Sequence, residues 1–598
     1  MPLPELIQML IHKIEIGAGS RYLRYFALAV TVVALAFFYD IRAYRNFSAP
    51  EAMDTAQLAL NISEGKGYTT QFIRPFSLYL VQRHNEGATP LALTNAGSDF
   101  ARIEIAHPDL ANPPVYPFFL AGLMKVLPFH YAVDLKSSFW TNNGNFWRYQ
   151  PDFLIAVINE ILLIIAAALT FVLAKKLFDA SVARLAVTLM LGCELLWRFS
   201  TSGLSTILLL VIFLGLTWCI LKIEETSREP QPASGCLFKF ALAAGVLAGL
   251  GALTRYAFGF AIIPVILFLI LFGGQRRLVH ATSALGAFLI VLTPWMIRNF
   301  IISGTFFGTA GFAIFEGTGF RLERSLQPDF SNVFSVSVLT HKLVMNLRDI
   351  LSDALPRLAG SWASLLFLAG LLLGFRNVAI QRMRYFLLMC LGLFIIVQAL
   401  GRTQLSDESP EVNSENLLVL LVPLIFIYGT SFFFTFLEQM KLPLPRLRYV
   451  VISIFVTVCC VPMISGRLFK IAPVVYPPYY PPEIQTGSGW MKENELMMSD
   501  VPWAMAWYGN RQCVWLTLDW QDDFQSVNNM KPVQALYLTP KTMDGKFVSE
   551  WMEGNERSWG NFLFQVLDQK RIPNHFPLTK APTGFFPERM FLTDRQRW

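Results

Sequence analysis

The chain of 598 residues is 54% hydrophobic and only 15% charged, with a mean hydropathy of +0.45. Soluble domains carry about a quarter charged residues, so this composition excludes a soluble globular protein. A net charge of +7 with no basic block excludes a nucleic-acid footprint, and seven cysteines, mostly in or beside apolar runs, exclude a disulfide scaffold.

The first apolar run covers 22–41. Lys13, Arg21 and Arg24 precede it, and no small-residue cleavage site follows, so it reads as an uncleaved first helix. A polar segment then runs over 42–151, far longer than a connection between two membrane helices needs. Within it, SAPEAMDTAQLALNISEGKGYTTQFIRP predicts a helix to about Ser63, a glycine stop and turn at Gly65-Lys66-Gly67, and Arg74 just beyond. The stretch 113–129, PPVYPFFLAGLMKVLPF, is too short and too proline-rich for a full crossing and reads as re-entrant or interfacial.

Further spans are predicted near 152–173, 180–197, 203–222, 237–253, 256–272, 279–300, 359–375, 383–400, 416–436 and 449–467, about eleven in all at roughly 20 residues each. With the N-terminus in the cytoplasm, one set of loops holds Lys175, Lys176 and Arg184; Arg276 and Arg277; Arg376, Arg382 and Arg384; and Lys441, Arg446 and Arg448. The other side receives the acidic loop LSDESPEVNSEN, with Asp407, Glu408, Glu411 and Glu415. The positive-inside rule therefore places 42–151, the loop 301–358 and the C-terminal tail together on the outer face of a multi-pass cell (plasma or inner) membrane protein.

The tail opens with the linker PVVYPPYYPP and turns polar and tryptophan-rich. CVWLTL and VQALYL read as strands, SEWMEGNERSWGNFLFQVL as a helix, and SDVPWAMAWYGNR as a strand-entering turn with packed Trp residues. The expected organisation is a transmembrane domain over 1–468 and a small exocytoplasmic α/β or α+β domain over 469–598.

Candidate chemistry gathers in the first loop. Glu51 and Asp54 share a helix face, three residues apart. Ser48-x-x-Glu51 matches a capping box, which would give Glu51 a purely structural use; Asp54 lies beyond the cap. Either carboxylate could serve as general base for an acceptor hydroxyl. Arg74, Arg198, Arg255 and Arg298 all map to the same side, where guanidinium groups bind phosphate. Asn159 and Glu160 fall inside the second span, where an ionisable side chain is costly and a functional candidate by default. His107 and Asp109 offer, with Asp54, the option of a divalent metal; no cofactor is required by any motif.

These segments resemble the GT-C superfamily of polyprenyl-phosphate-sugar-dependent glycosyltransferases, in particular the bacterial branch similar to protein mannosyltransferases and the aminoarabinose transferase of lipid A. EAMDTAQLALNISEGKGY is similar to the family's acidic motif, its helix and its Gly-x-Gly-aromatic end, and NPPVYPFFLAGLMKVL to its Pro-Pro-Leu-Tyr segment, which includes Tyr116. GLGALTRYAF and TPWMIRNFIISGTFFG resemble its Leu-Thr-Arg and Pro-Trp-x-x-Arg-Asn elements, with Arg255, Arg298 and Asn299. ENLLVLLVPLIFIYG resembles the late Arg-Tyr-x-x-Pro-x-x-Pro span, and SDVPWAMAWYGNR the start of an exocytoplasmic domain. The chain departs from the pattern at Asn416, where an Arg is common, and at Thr206, where many members have a Glu.

The resemblance implies a polytopic α-helical GT-C-like bundle and an inverting glycosyl transfer from a polyprenyl-phosphate sugar to a protein, lipid or glycan acceptor. It implies Asp54 or Glu51 as the catalytic carboxylate and Arg255, Arg298, Asn299 and Tyr116 as substrate-binding residues, to which the local reading adds Arg74, His107 and Glu160. Two other classes compete. A lipid or saccharide transporter or flippase predicts paired broken helices in two halves, and no such correspondence is found. A non-catalytic assembly or sensor protein would use the tail as its binding module.

Overall fold

The computed structural model describes residues 19–42, 46–87, 103, 107–133, 148–230, 234–317, 321–328, 335–372, 374–410, 412–440, 445–468, 480–540, 542, 558–567, 569, 571–582 and 589–598. Lys13, Glu411, Lys441, most of the linker and 549–557 of the expected tail helix lie outside the described residues, as do the side chains of Arg21, Arg24, Asp407 and Glu408.

Among the described residues, seven helices are long and apolar enough to cross a membrane: Gln150–Leu177, Thr206–Ser227, Ser234–Ala252, Arg277–Ser303, Val378–Gly401, Leu418–Gln439 and Arg446–Ser465. An eighth span arises if Ala180–Leu191 and Glu194–Thr201, bent by 56° at the Gly192-Cys193 break, count as one. The remaining expected spans are helical but shorter. Tyr256–Ala261 is a 3-10 turn leading into Ile262–Phe272, and Trp362–Gly370 is nine residues. The first helix, Gly19–Arg42, has its apolar part at Phe26–Asp40. Val115–Val126 is a 12-residue helix entered through Pro114, as the short proline-flanked pattern predicts.

The bundle turns apolar side chains outward: Phe26, Val33, Leu271 and Ile290 are more than half exposed. In a bilayer such faces meet lipid, as fits helices without a single polar stripe. Close approach inside the bundle comes from small residues. Ser234–Ala252 packs on Arg277–Ser303 along Gly245 and Gly249, a Gly-x-x-x-Gly pair. A Cβ on Gly245 would sit 2.1 Å from the carbonyl oxygen of Ala284. Gly245→Val should therefore push these two helices apart and destabilise the protein by about 1–3 kcal/mol, read as a lowered midpoint of thermal unfolding in detergent. An unchanged midpoint would show that the helices do not rely on this contact.

At one end of the bundle Glu224, near the C-terminus of Thr206–Ser227, pairs with Arg228 at 2.8 Å and Arg382 at 3.6 Å. Lys176 reaches Glu225 nearby at 3.3 Å. Thr206, at the other end of that helix, is about 27 Å away at 1.5 Å per residue and belongs to the polar site described below.

The tail builds a small sheet with helices. Its order is β2-β5-β4-β6-β7, where β2 is Phe72–Ile73, β4 Leu496–Ser499, β5 Cys513–Trp515, β6 Val533–Leu538 and β7 Met590–Thr593. Strands β2, β5, β4 and β6 run parallel to one another, and β7 closes the sheet antiparallel to β6. CVWLTL and VQALYL thus supply strands as read. PWAMAWYG forms the helix Pro502–Gly509 rather than a turn, because Pro502 starts it at N1 and Asn510, at φ 48°, stops it. Trp503 and Trp507 are buried, as expected.

The first-loop strand β2 pairs with β5 in register Phe72↔Cys513 and Ile73↔Val514, so the edge of the tail's sheet belongs to the first loop. A second tie is Asp152, at the start of Gln150–Leu177 and fully buried. It accepts bonds from the Phe47 amide (3.1 Å), Trp507 Nε1 (2.7 Å) and the Tyr508 hydroxyl (2.7 Å).

Candidate active site

The helix carrying Glu51 and Asp54, Pro50–Ser63, does not begin with the expected capping box. Its N-cap is Ala49 with no side-chain cap, and Pro50 occupies the first turn, where its missing N–H costs nothing. Glu51 is thereby free to turn away from its own helix. Its Oε1 accepts the Ser414 hydroxyl at 3.0 Å, while Oε2 is buried with no hydrogen-bond partner.

Glu51 lines a cavity of about 210 Å³ together with Arg74, Tyr116, Arg255, Glu323 and Glu415. The rest of the wall combines polar groups from the first loop and the late loops with apolar residues of the bundle, among them Asn112, Ser205, Tyr256, Gln398 and Leu417. Of the predicted residues, Glu51, Arg74, Tyr116 and Arg255 are brought into this one space.

Asp54 stands behind the wall. It is buried, and its Oδ2 accepts Arg74 Nη2 and Asn112 Nδ2, both at 2.8 Å. Asn112 also donates to Asp109 Oδ2 at 3.0 Å, bridging the two acids. Asp109 closes a tight turn by accepting the amides of Ala111 and Asn112 through Oδ1. Burial lowers the basicity of Arg74, but the carboxylates of Asp54, Glu323 and Asp109 outweigh that and hold it above the usual arginine value.

Arg255 sits in the turn after Ser234–Ala252. It donates to Thr206 Oγ1 at 2.9 Å, and its Nη1 is buried without a partner. Burial brings it down to about 10, against the pull of Glu51 and Glu415. Burial also raises Glu51 above the usual carboxylate range, despite the bonds from Ser414 and the charge of Arg255. Glu415 is pushed up to about 7 by burial, with the Thr403 bonds opposing and the Glu51 charge adding to it. On this wall each buried charge is costly unless a counter-charge meets it.

Arg298 and Asn299 form a second layer. Arg298 donates to the Asp109 carbonyl at 2.6 Å and to Asn299 Oδ1 at 2.8 Å, and lies against the rings of Tyr68 and Trp295, which pack edge to face on each other. Asn299 in turn donates to the hydroxyl of Tyr256, which lines the cavity. The hydroxyl of Tyr116 donates to the Gly203 carbonyl at 2.8 Å and meets Asn159, which gives Asn159 its place. Gly203 has φ +79°, and a Cβ there would strike the Phe47 ring at 2.4 Å, so only glycine lets this turn close over Tyr116.

Glu160 and His107 are not on the wall. Glu160 faces Asp40 and Arg148 on the flank of the bundle. His107 is buried in β3 (His107–Pro108), which pairs with β1 (Thr69–Thr70), and meets the Ser77 hydroxyl at 3.0 Å; burial lowers it to about 4. Among the described residues, no group of three or more His, Cys, Asp or Glu is placed to hold a metal ion. Arg74 and Asn112 occupy Oδ2 of Asp54, while its Oδ1 is buried without a hydrogen-bond partner.

A second cavity, of about 660 Å³, is lined by Arg198, Asp349, Arg357, Arg402 and Asn416 among others. Gln398 belongs to both walls. Asn416 therefore stands where the resemblance expects an Arg, and three arginines from other segments line the same space.

A family model described as dolichyl-phosphate-mannose-protein mannosyltransferase matches residues 150–297, from the helix after the first loop to the Pro-Trp-x-x-Arg element. Among solved structures, the chain is similar to the archaeal oligosaccharyltransferase AglB from Archaeoglobus fulgidus in complex with an inhibitory peptide and a dolichol-phosphate. The identity is 11% and the TM-score 0.53, over 90% of this chain and 72% of that one. The chain has the GT-C fold. ArnT from Cupriavidus metallidurans bound to undecaprenyl phosphate is also similar, at 10% identity and TM-score 0.49, over 97% of this chain and 99% of that one. No curated protein sequence matches the chain significantly.

Within this GT-C fold, three wall residues carry no signal that sequence reading could use for a site. Glu323 lies in the long loop 301–358, Glu415 was legible only as part of an acidic loop, and Tyr256 only as a neighbour of Arg255. Thr206, where the resemblance expects an acid, receives the Arg255 guanidinium, so no ion pair forms at that position.

Proposed function

We propose that the chain is an inverting glycosyltransferase that moves a sugar from a polyprenyl-phosphate carrier to an acceptor at the outer face of the membrane. The observation that carries this reading is the pairing, in one cavity, of a carboxylate oxygen and a guanidinium nitrogen that both lack partners: Glu51 Oε2 and Arg255 Nη1. A hydroxyl nucleophile needs an acceptor for its proton, and a departing phosphate needs a cation. The dolichol-phosphate held by AglB and the mannosyltransferase family model support a lipid-phosphate donor. The outer-face placement rests on the distribution of Lys and Arg over the loops.

In the proposed reaction Glu51 takes the proton of the acceptor hydroxyl. The oxygen attacks the anomeric carbon, the bond from that carbon to the phosphate oxygen breaks, and polyprenyl phosphate leaves toward Arg255. A single displacement inverts the anomeric centre. Glu51 is the stronger candidate for the base because it lines the cavity, whereas Asp54 is engaged in holding Arg74.

Purified protein given a polyprenyl-phosphate sugar and an acceptor should release polyprenyl phosphate and form a product of opposite anomeric configuration. Transbilayer movement of the lipid with the sugar still attached, and no release, would instead favour a flippase. Retention of configuration would remove the single displacement.

A further inference from the structure

Both partners of one ion pair at the cavity hang from the same strand of the tail. Arg74 directly follows β2, whose register on β5 is fixed at Phe72↔Cys513 and Ile73↔Val514. The Phe72 ring packs on Trp503 and Trp515, and the Arg74 guanidinium lies 4.2 Å from the Phe72 ring centroid. Across from it, Glu323 Oε1 is 3.7 Å from Arg74 Nε.

Glu323 belongs to the short 3-10 turn Leu322–Arg324 in the loop after Arg277–Ser303. The next residue, Arg324, is buried and points the other way. Its Nε donates to the Leu516 carbonyl at 2.6 Å and its Nη2 to the Thr517 carbonyl at 3.0 Å, just past the end of β5. From the other side the Glu323 amide donates to Glu316 Oε1 at 2.6 Å, and Lys342 Nζ holds the carbonyls of Ala313 and Ile314 beneath it. A turn held on both sides loses the freedom that a surface loop would otherwise keep.

We propose that the C-terminal unit sets the reaction site through Arg324, a positioning residue that fixes Glu323 against Arg74. Strand β5 acts as a common ruler: it places Arg74 through main-chain pairing and Glu323 through the Arg324 fork. Glu323 then shares Arg74 with Asp54 and presents its unpartnered, buried Oε2 to the cavity, where a substrate hydroxyl can donate to it. The inference rests on the transferase reading for its activity arm.

The test uses the full-length protein in detergent with polyprenyl-phosphate sugar, comparing Arg324→Gln, Arg324→Lys, Glu323→Gln and the double variant Glu323→Gln/Arg324→Gln. Arg324→Gln should lower kcat about 10-fold or more while the acceptor KM moves less than about 3-fold. Arg324→Lys, which keeps the charge and one donor, should recover part of that loss. In the Glu323→Gln background the Arg324→Gln change should cost less than about 3-fold, since groups acting through one another are not additive. Independently of activity, amide exchange of the segment around Leu322 should speed up in Arg324→Gln and not in Glu323→Gln.

Full multiplicativity of the two changes, or an unchanged kcat in Arg324→Gln, overturns the proposal. If the unsubstituted protein releases no polyprenyl phosphate, the transferase reading falls instead, and the exchange data alone decide whether Arg324 fixes the turn. Should Arg324→Gln not fold, Arg324→Lys carries the same comparison.

Discussion

Glu51→Gln should reduce release of polyprenyl phosphate by about 10²–10⁴-fold, the usual weight of a positioned general base. The substitution keeps the size of the side chain and its bond with Ser414, so the helix Pro50–Ser63 and the cavity wall should persist and the acceptor KM should change little. A pH profile separates this chemistry from simple packing. Glu51 is a base only when ionised, and burial raises its pKa. The rate of the unsubstituted protein should therefore fall as pH drops through a value above the ordinary carboxylate range, and the residual rate of Glu51→Gln should lose that dependence. Asp54→Asn provides the contrast. It weakens the hold on Arg74 but leaves the cavity carboxylate in place, so its acid limb should survive. Full turnover in Glu51→Gln would refute the proposed base; full turnover in both variants would refute the mechanism.

Arg255→Ala should have the other large effect, a loss of about 10²–10³-fold in kcat/KM for the donor, comparable to removing one charge-stabilising donor from a transition state. Arg255 Nη1 is buried without a hydrogen-bond partner in the protein, which leaves it available to a phosphate oxygen of the donor. The change also removes the cation that offsets Glu51 and Glu415. With that charge gone, the acid limb of the rate should move to higher pH, because the ionised form of Glu51 becomes harder to reach. Arg255→Lys should restore the charge while losing the fork that reaches Thr206 and the cavity together, and so recover only part of the donor affinity. Unchanged kinetic constants and an unmoved limb in Arg255→Ala would remove Arg255 from the reaction.

Much of the architecture was legible because lipid forces long apolar runs, and each run named in the sequence became a helix. Their lengths were less legible. The 256–272 run starts as a 3-10 turn, and the 359–375 run yields only nine helical residues. Arg74, Arg255 and Tyr116 could be named from local motifs and do share a wall. Glu51 was obscured by Ser48, whose spacing imitates a cap; Pro50 starts the helix without one and frees the carboxylate. Glu323 and Glu415 were invisible as site residues, since each is one acid in a polar loop and acquires meaning only from what folds against it. Strand β2 is two residues long, too short for any alternation to announce. The same shortness hid the fact that the tail and the first loop make one sheet.

That shared sheet imposes an order in time. Phe72 and Ile73 leave the ribosome long before their strand partners, Cys513 and Val514. A chain interrupted after Arg446–Ser465 would keep its spans yet lack the strand that backs Arg74. A change that weakens Cys513–Trp515 should therefore be felt at Arg74, more than four hundred residues earlier in the chain.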